Sequence, residues 1–275
     1  MATKKNPIGV FDSGYGGLTI LKEIIKQLPR YDYIYLGDNA RFPYGTRSFD
    51  AVYRYTLEAV KWLFSKGCNL IILACNTAAA KALRTIQQKD IPKIDSTRKV
   101  LGVIRPLTEC IGQFTHTNHV GVLGTTGTVN SESYIIEIKK FFPHLKVSQE
   151  ACPMWVPLVE YNEFDKPGAD YFLKKNITNL LSKDEQIDTI ILGCTHYPLL
   201  IEKIIQFVPQ HIKIISQGEI VANSLTDYLK RHPEIDIRCS KSSSLEFYTT
   251  DSVIMFNRQA EIFFEKPVAA KQVSL

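Results

Sequence analysis

Six cysteines punctuate this chain, and two of them share a frame. Cys75 closes the apolar run LIILA and opens CNTAAA, while Cys194 closes TIILG and opens CTHYPL. In each, a strand-length apolar run gives way to a thiol, then to hydrogen-bonding residues (Asn76 and Thr77; Thr195 and His196), then to a helix-compatible stretch. A thiol at a strand-to-helix junction meets unpaired backbone N–H groups and the positive end of the helix dipole, which favour thiolate over thiol. Asn76, Thr77 and Thr195 are donors suited to a carboxylate, and Asn76 and Thr77 also serve as ordinary helix caps. His196, two residues past Cys194, is placed to carry a proton to or from it.

Two thiols without a metal suit the inversion of a stereocentre. One removes the α-proton from one face of the carbon while the other supplies a proton from the opposite face. A free thiol titrates near 8.5, close enough to neutrality for one cysteine to be thiolate and its partner thiol after modest tuning. Charge that develops at the carbon calls for positioned donors. No CxxC or HExxH spacing suggests a metal site, and a two-base site has no need of an electron sink, so neither metal nor pyridoxal phosphate is expected. Cys68, Cys110, Cys152 and Cys239 read as small buried hydrophobes.

Opposed groups need two matching scaffolds, and the chain supplies them. Residues 8–11 read as a strand, 12–17 (DSGYGG) as a tight turn and 18–28 as an amphipathic helix. A strand at 33–36, a helix over about 48–65, a strand at 70–74 and an alanine-rich helix follow. A second series repeats the plan, with a strand at 120–123, the turn GTTGT, a helix over 131–142, a strand from 147, a helix over about 169–181 and a strand at 189–192. The expected fold is α/β, with two pseudo-symmetric lobes, each a mainly parallel sheet with helices on both faces, and an active site in the cleft between them. A polar connector at 90–98 marks a lobe boundary, 153–165 reads as a loop, and the last few residues are expected to fray. Residues 1–97 with 209–275 then form the first lobe and 98–208 the second.

Gly14-x-Gly16 after a strand, with Asp38 ending the next, imitates a dinucleotide fingerprint, but the third glycine position holds Thr19 and Asp12 would repel a pyrophosphate. The glycines read instead as a tight turn that presents the Asp12 carboxylate to a cleft. At 45% hydrophobic and 22% charged residues the 275-residue chain is an ordinary globular one, long enough for two lobes. The formal charge of +5 comes from scattered singles and pairs, such as Lys4-Lys5 and Lys139-Lys140. No basic tract points to nucleic acid. Neither a signal-type apolar segment nor a membrane span is legible, which sets the expectation of a cytoplasmic protein with reduced thiols.

The motifs FDSGYGGLT (11–19), LGDNARFPYG (36–45), LACNTA (73–78), GTTGT (124–128), VPLVE (156–160) and LGCTHYPLL (192–200) together resemble those of the glutamate racemases, cofactor-independent amino-acid racemases. The resemblance implies interconversion of L- and D-glutamate, with D-glutamate destined for peptidoglycan. By position, it makes Cys75 and Cys194 the two acid/bases, the first deprotonating D-glutamate and the second L-glutamate, with Asp12 assisting Cys75 and His196 assisting Cys194. Ser13, Tyr44, Gly45, Asn76, Thr77 and Thr195 match substrate-contacting positions, as do Thr125, Thr128 and Glu160. Asp12 and His196 count among the substrate contacts too, and a homodimer is compatible with the resemblance. A racemase of aspartate or a related substrate, or a non-catalytic binding protein on the same fold, stays open as an alternative.

Overall fold

The computed structural model describes residues 6–275, so the Lys4-Lys5 pair lies outside the described residues. Among the described residues, ten strands alternate with helices: β1 (Ile8–Asp12), β2 (Tyr33–Gly37), β3 (Leu70–Leu73), β4 (Lys99–Gly102), β5 (His119–Gly124), β6 (Lys146–Ala151), β7 (Thr189–Gly193), β8 (Lys213–Ile215), β9 (Leu245–Thr249) and β10 (Ala270–Gln272). They form one sheet in the order β10-β9-β2-β1-β3-β4 and another in the order β6-β5-β7-β8. Every pairing is parallel. The runs β2-β1-β3-β4 and β6-β5-β7-β8 are the same topology twice, and the internal repeat seen in the sequence is this one.

Parallel strands covered on both faces need continuous apolar runs, and β1, β2, β3, β5 and β7 are buried along their whole lengths. Neighbouring side chains go to opposite faces. Ile8 and Val10 of β1 join one apolar cluster and Phe11 the other, as do Leu70 and Ile72 against Ile71 and Leu73 of β3. Each sheet has a switch point, where the chain leaves the central strand to one side and returns on the other. A crevice opens there beyond the C-terminal ends of β1 and β3, and likewise of β5 and β7. Asp12, Cys75, Thr125 and Cys194 sit at those four strand ends.

Four expectations change. β4 pairs with β3, Ile71 opposite Val100, so the first sheet continues past residue 98. β8 pairs with β7, Ile190 opposite Ile214, so the second sheet holds residues past 208. The division at 97/98 and 208/209 therefore cuts each sheet one short edge strand early; an edge strand needs only one partner and carries a weak pattern. The polar connector at 90–98 is helical in its first half, where a π-helical turn at Ile86–Asp90 runs into the helix Ile91–Ile94. Within 153–165, Trp155–Glu160 is a helix. Pro92 and Pro157 each fall in a first turn, where a missing N–H costs nothing. The C-terminus is ordered by pairing, with Ala270 opposite Phe247 and the Val273 N–H donating to the Thr249 carbonyl at 2.9 Å. Among the described residues, no helix is long and apolar enough to cross a membrane.

Candidate active site

The two crevices share one cavity of about 100 Å³. Ser13, Tyr44, Gly45, Cys75, Asn76, Thr77, Thr125, Cys194, Thr195 and His196 all line it. Asp12, Thr128 and Glu160 do not reach its wall; they stand behind the residues that do. Phe42, Cys152 and Val156 contribute to the lining as well, and Cys152 is thereby more than a core hydrophobe. Cys68 and Cys239 are buried, whereas Cys110 is half-buried. Among the described residues, no lysine or arginine lines the cavity, so an anion there would be met by neutral donors and by His196.

Cys75 caps the helix Asn76–Thr85, its Sγ accepting the Ala78 N–H at 3.4 Å. The cap position that Asn76 and Thr77 were expected to fill belongs to the thiol itself. Ser13 Oγ lies 3.5 Å from the same sulfur. These contacts favour thiolate, yet they do not prevail. Burial and then the neighbouring Asp12 charge push the Cys75 thiol up to about 12, so the site holds a thiol there. Asp12 is itself buried, and burial raises its carboxyl above the ordinary range against the His196 charge and backbone N–H groups of Gly14 and Gly17 that lower it.

The setting of Cys194 differs. No α-helix begins at this thiol: a 3₁₀ turn covers Tyr197–Leu200 and the α-helix starts at Ile201, so the expected dipole acts on Cys75 alone. In its place stands His196, with Nδ1 3.9 Å from Cys194 Sγ and Nε2 hydrogen-bonded to Glu160. Burial works against charge on this imidazole, but the hydrogen bonds to Cys194 and Glu160 and their negative charges outweigh it. The His196 pKa rises to about 10, and the ring is an imidazolium at neutral pH. Phe42 stacks on it at 6.0 Å between centroids, and Phe263 meets it edge-on at 5.2 Å.

The two halves are tied closely. Thr19 Oγ1 donates to the Thr195 carbonyl at 3.1 Å. A Cβ on Gly16 would lie 2.2 Å from Thr195 Oγ1 and 2.5 Å from His196 Nδ1. The glycine turn after β1 therefore has a second reason beyond its own curvature: only a bare backbone lets the Cys194 loop sit against it. On the other wall, Thr77 Oγ1 lies 2.9 Å from Thr125 Oγ1 and 3.4 Å from Thr128 Oγ1, and a Cβ on Gly45 would come 3.0 Å from Thr125 Cβ. Tyr44 is buried with its hydroxyl donating to Asp38, which turns that oxygen from the cavity. Among the described residues, no group of three or more His, Cys, Asp or Glu side chains is arranged to hold a metal ion.

Sequence reading passed over several neighbours. Asn76 is held by Tyr134 and Gln217, Phe263 packs on His196, and Gln259 Nε2 donates to the Glu160 carbonyl at 3.2 Å. Three of these four come from the C-terminal third, where no motif marked them; Phe42 lay inside a quoted motif but carried no polar signal.

Residues 8–225 match the family described as Asp/Glu/hydantoin racemase. The glutamate racemase of Geobacter metallireducens is 39% identical over 257 residues, covering 93% of this chain and 92% of that one. Among solved structures, glutamate racemase isoform RacE1 from Bacillus anthracis superposes with a TM-score of 0.89 at 36% identity, covering 99% of both chains. The Francisella tularensis glutamate racemase, solved in complex with D-glutamate, gives 0.87 at 32% identity over 99% of this chain and 98% of that one. With paired thiols at matching switch points and relatives alike along nearly their whole length, the chain belongs to the glutamate racemases of the Asp/Glu/hydantoin racemase family.

Proposed function

We propose that this protein interconverts L- and D-glutamate by a cofactor-independent two-base mechanism and so supplies D-glutamate for peptidoglycan. The observation that carries the reading is one cavity lined by two cysteines delivered by equivalent strands of two repeated sheets. The substrate follows from the family relationship, and from D-glutamate bound in the Francisella relative.

The protonation pattern sets the roles. The imidazolium of His196 stands beside Cys194, and that sulfur takes the α-proton of L-glutamate. Cys75, held as a thiol by burial and Asp12, gives its proton to the opposite face. For D-glutamate the proton movements reverse. Hydroxyls of Ser13, Thr77 and Thr125, with the Asn76 amide, are the donors for the substrate carboxylates. Glu160, Thr128 and Asp12 act through the residues in front of them. A homodimer is carried as part of the same proposal, for light scattering to test.

Washout of the α-proton in deuterated water is the direct test of the chemistry. Both enantiomers of glutamate should incorporate deuterium and converge on a racemic mixture. Absence of exchange from either enantiomer in the wild-type protein would defeat the proposal, and exchange into aspartate but not glutamate would move the substrate.

A further inference from the structure

Behind the cavity lies a closed set of buried amide and phenol groups that no motif marks. Asn76 Nδ2 donates to Gln217 Oε1 at 2.7 Å, and Tyr134 Oη donates to Asn76 Oδ1 at 2.9 Å. Gln217 Nε2 donates to Tyr134 Oη at 2.7 Å and to the Val103 carbonyl at 3.1 Å. All three side chains are 2% exposed or less. The Val103 carbonyl can only accept, so the nitrogen of Gln217 must face it and the oxygen must face Asn76. Asn76 must then present its nitrogen to Gln217 and its oxygen to Tyr134. Burial raises the Tyr134 phenol above its ordinary range, so that hydroxyl keeps its proton.

One N–H of Asn76 is left over, on a side chain that lines the cavity. We infer that Tyr134 and Gln217 are positioning residues that lock the Asn76 amide as a donor toward an anionic oxygen of the substrate. The inference rests on the proposed glutamate site and deepens it. It also ties the site to both crossings of the chain between sheets, since Val103 follows β4 and Gln217 follows β8. Without Tyr134, the Asn76 oxygen loses its donor and the amide is held from the Gln217 side alone.

The test is a double-mutant cycle read as D-glutamate affinity by calorimetry, beside racemisation by polarimetry. Tyr134→Phe should weaken binding about tenfold, the scale of a hydrogen bond to a charged group, while changing kcat much less. In an Asn76→Ala background the same substitution should change affinity by less than about twofold, because coupled residues are not additive. Gln217→Met provides a second entry to the cycle if Tyr134→Phe does not fold, with the same expectation. Unchanged affinity in the single variants, or an equal loss with and without Asn76, overturns the inference; a general structural role would give that equal loss. Wild-type binding of glutamate without turnover would defeat the proposed reaction and leave the positioning role standing. Absence of wild-type binding would overturn both.

Discussion

Cys75 and Cys194 are alike in frame and unlike in surroundings. One is buried beside a carboxylate and a serine, the other beside an imidazolium backed by Glu160. Serine keeps the shape but not the acidity, so Cys75→Ser and Cys194→Ser should each reduce racemisation about 10³-fold, as measured by polarimetry with either enantiomer. Retention of rate in either variant would remove that thiol from the chemistry. Glu160 acts at one remove. Because the His196 pKa is raised from 6.5 to about 10, its charge persists below that value and is lost as pH rises through it. The linked stability runs the same way, fully present below the ordinary imidazole pKa and lost as pH climbs through about 10. In Glu160→Gln the alkaline limb of kcat/KM should therefore move to lower pH. An unmoved limb would mean that Glu160 does not set the charge on His196.

At the level of elements, what matters is how closely the turn after β1 approaches the loop after β7. Gly16→Ala places a methyl against the Thr195 hydroxyl and the His196 ring, where neither has room to give. Overpacking of this kind costs about 1–3 kcal/mol, and a displaced His196 should lower kcat roughly tenfold to a hundredfold. Thermal unfolding and turnover measured on one preparation test both halves, and full activity in the alanine variant would show that the loop can withdraw without consequence. The helices with first-turn prolines belong here too. Pro92 lay in the expected connector and Pro157 in the expected loop, yet each falls in the first turn of a helix whose apolar residues, Ile91 in one and Trp155, Val156 and Val159 in the other, are buried.

Across the whole molecule, the C-terminal third adds β9 and β10 to the edge of the first sheet and, through Gln217, Gln259 and Phe263, a backing to Asn76, Glu160 and His196. β10 stands three strands from β1, far from the cavity. Removal of residues 270–275 deletes a few backbone hydrogen bonds and should cost about 1–2 kcal/mol, which lowers Tm by roughly 3–6 °C. Glutamate KM should stay within twofold or so of the parent. A large rise in KM would show that the edge is coupled to the site.

The chain by itself determined the repeat, the strand-end positions of both thiols and ten of the eighteen described residues that line the cavity. Apolar runs, turn residues and paired motifs are local, and local pattern is what a sequence displays. Three decisions belonged to the tertiary structure. The proton on Cys75 depends on burial beside Asp12, which overrides the helix N-terminus visible in the sequence. The edges of the sheets depend on which short strand finds a partner, as β4 and β8 did. The orientation of Asn76 depends on Val103, Tyr134 and Gln217, separated from one another by 31 to 114 positions, and only the closed fold brings their few polar atoms within hydrogen-bond reach.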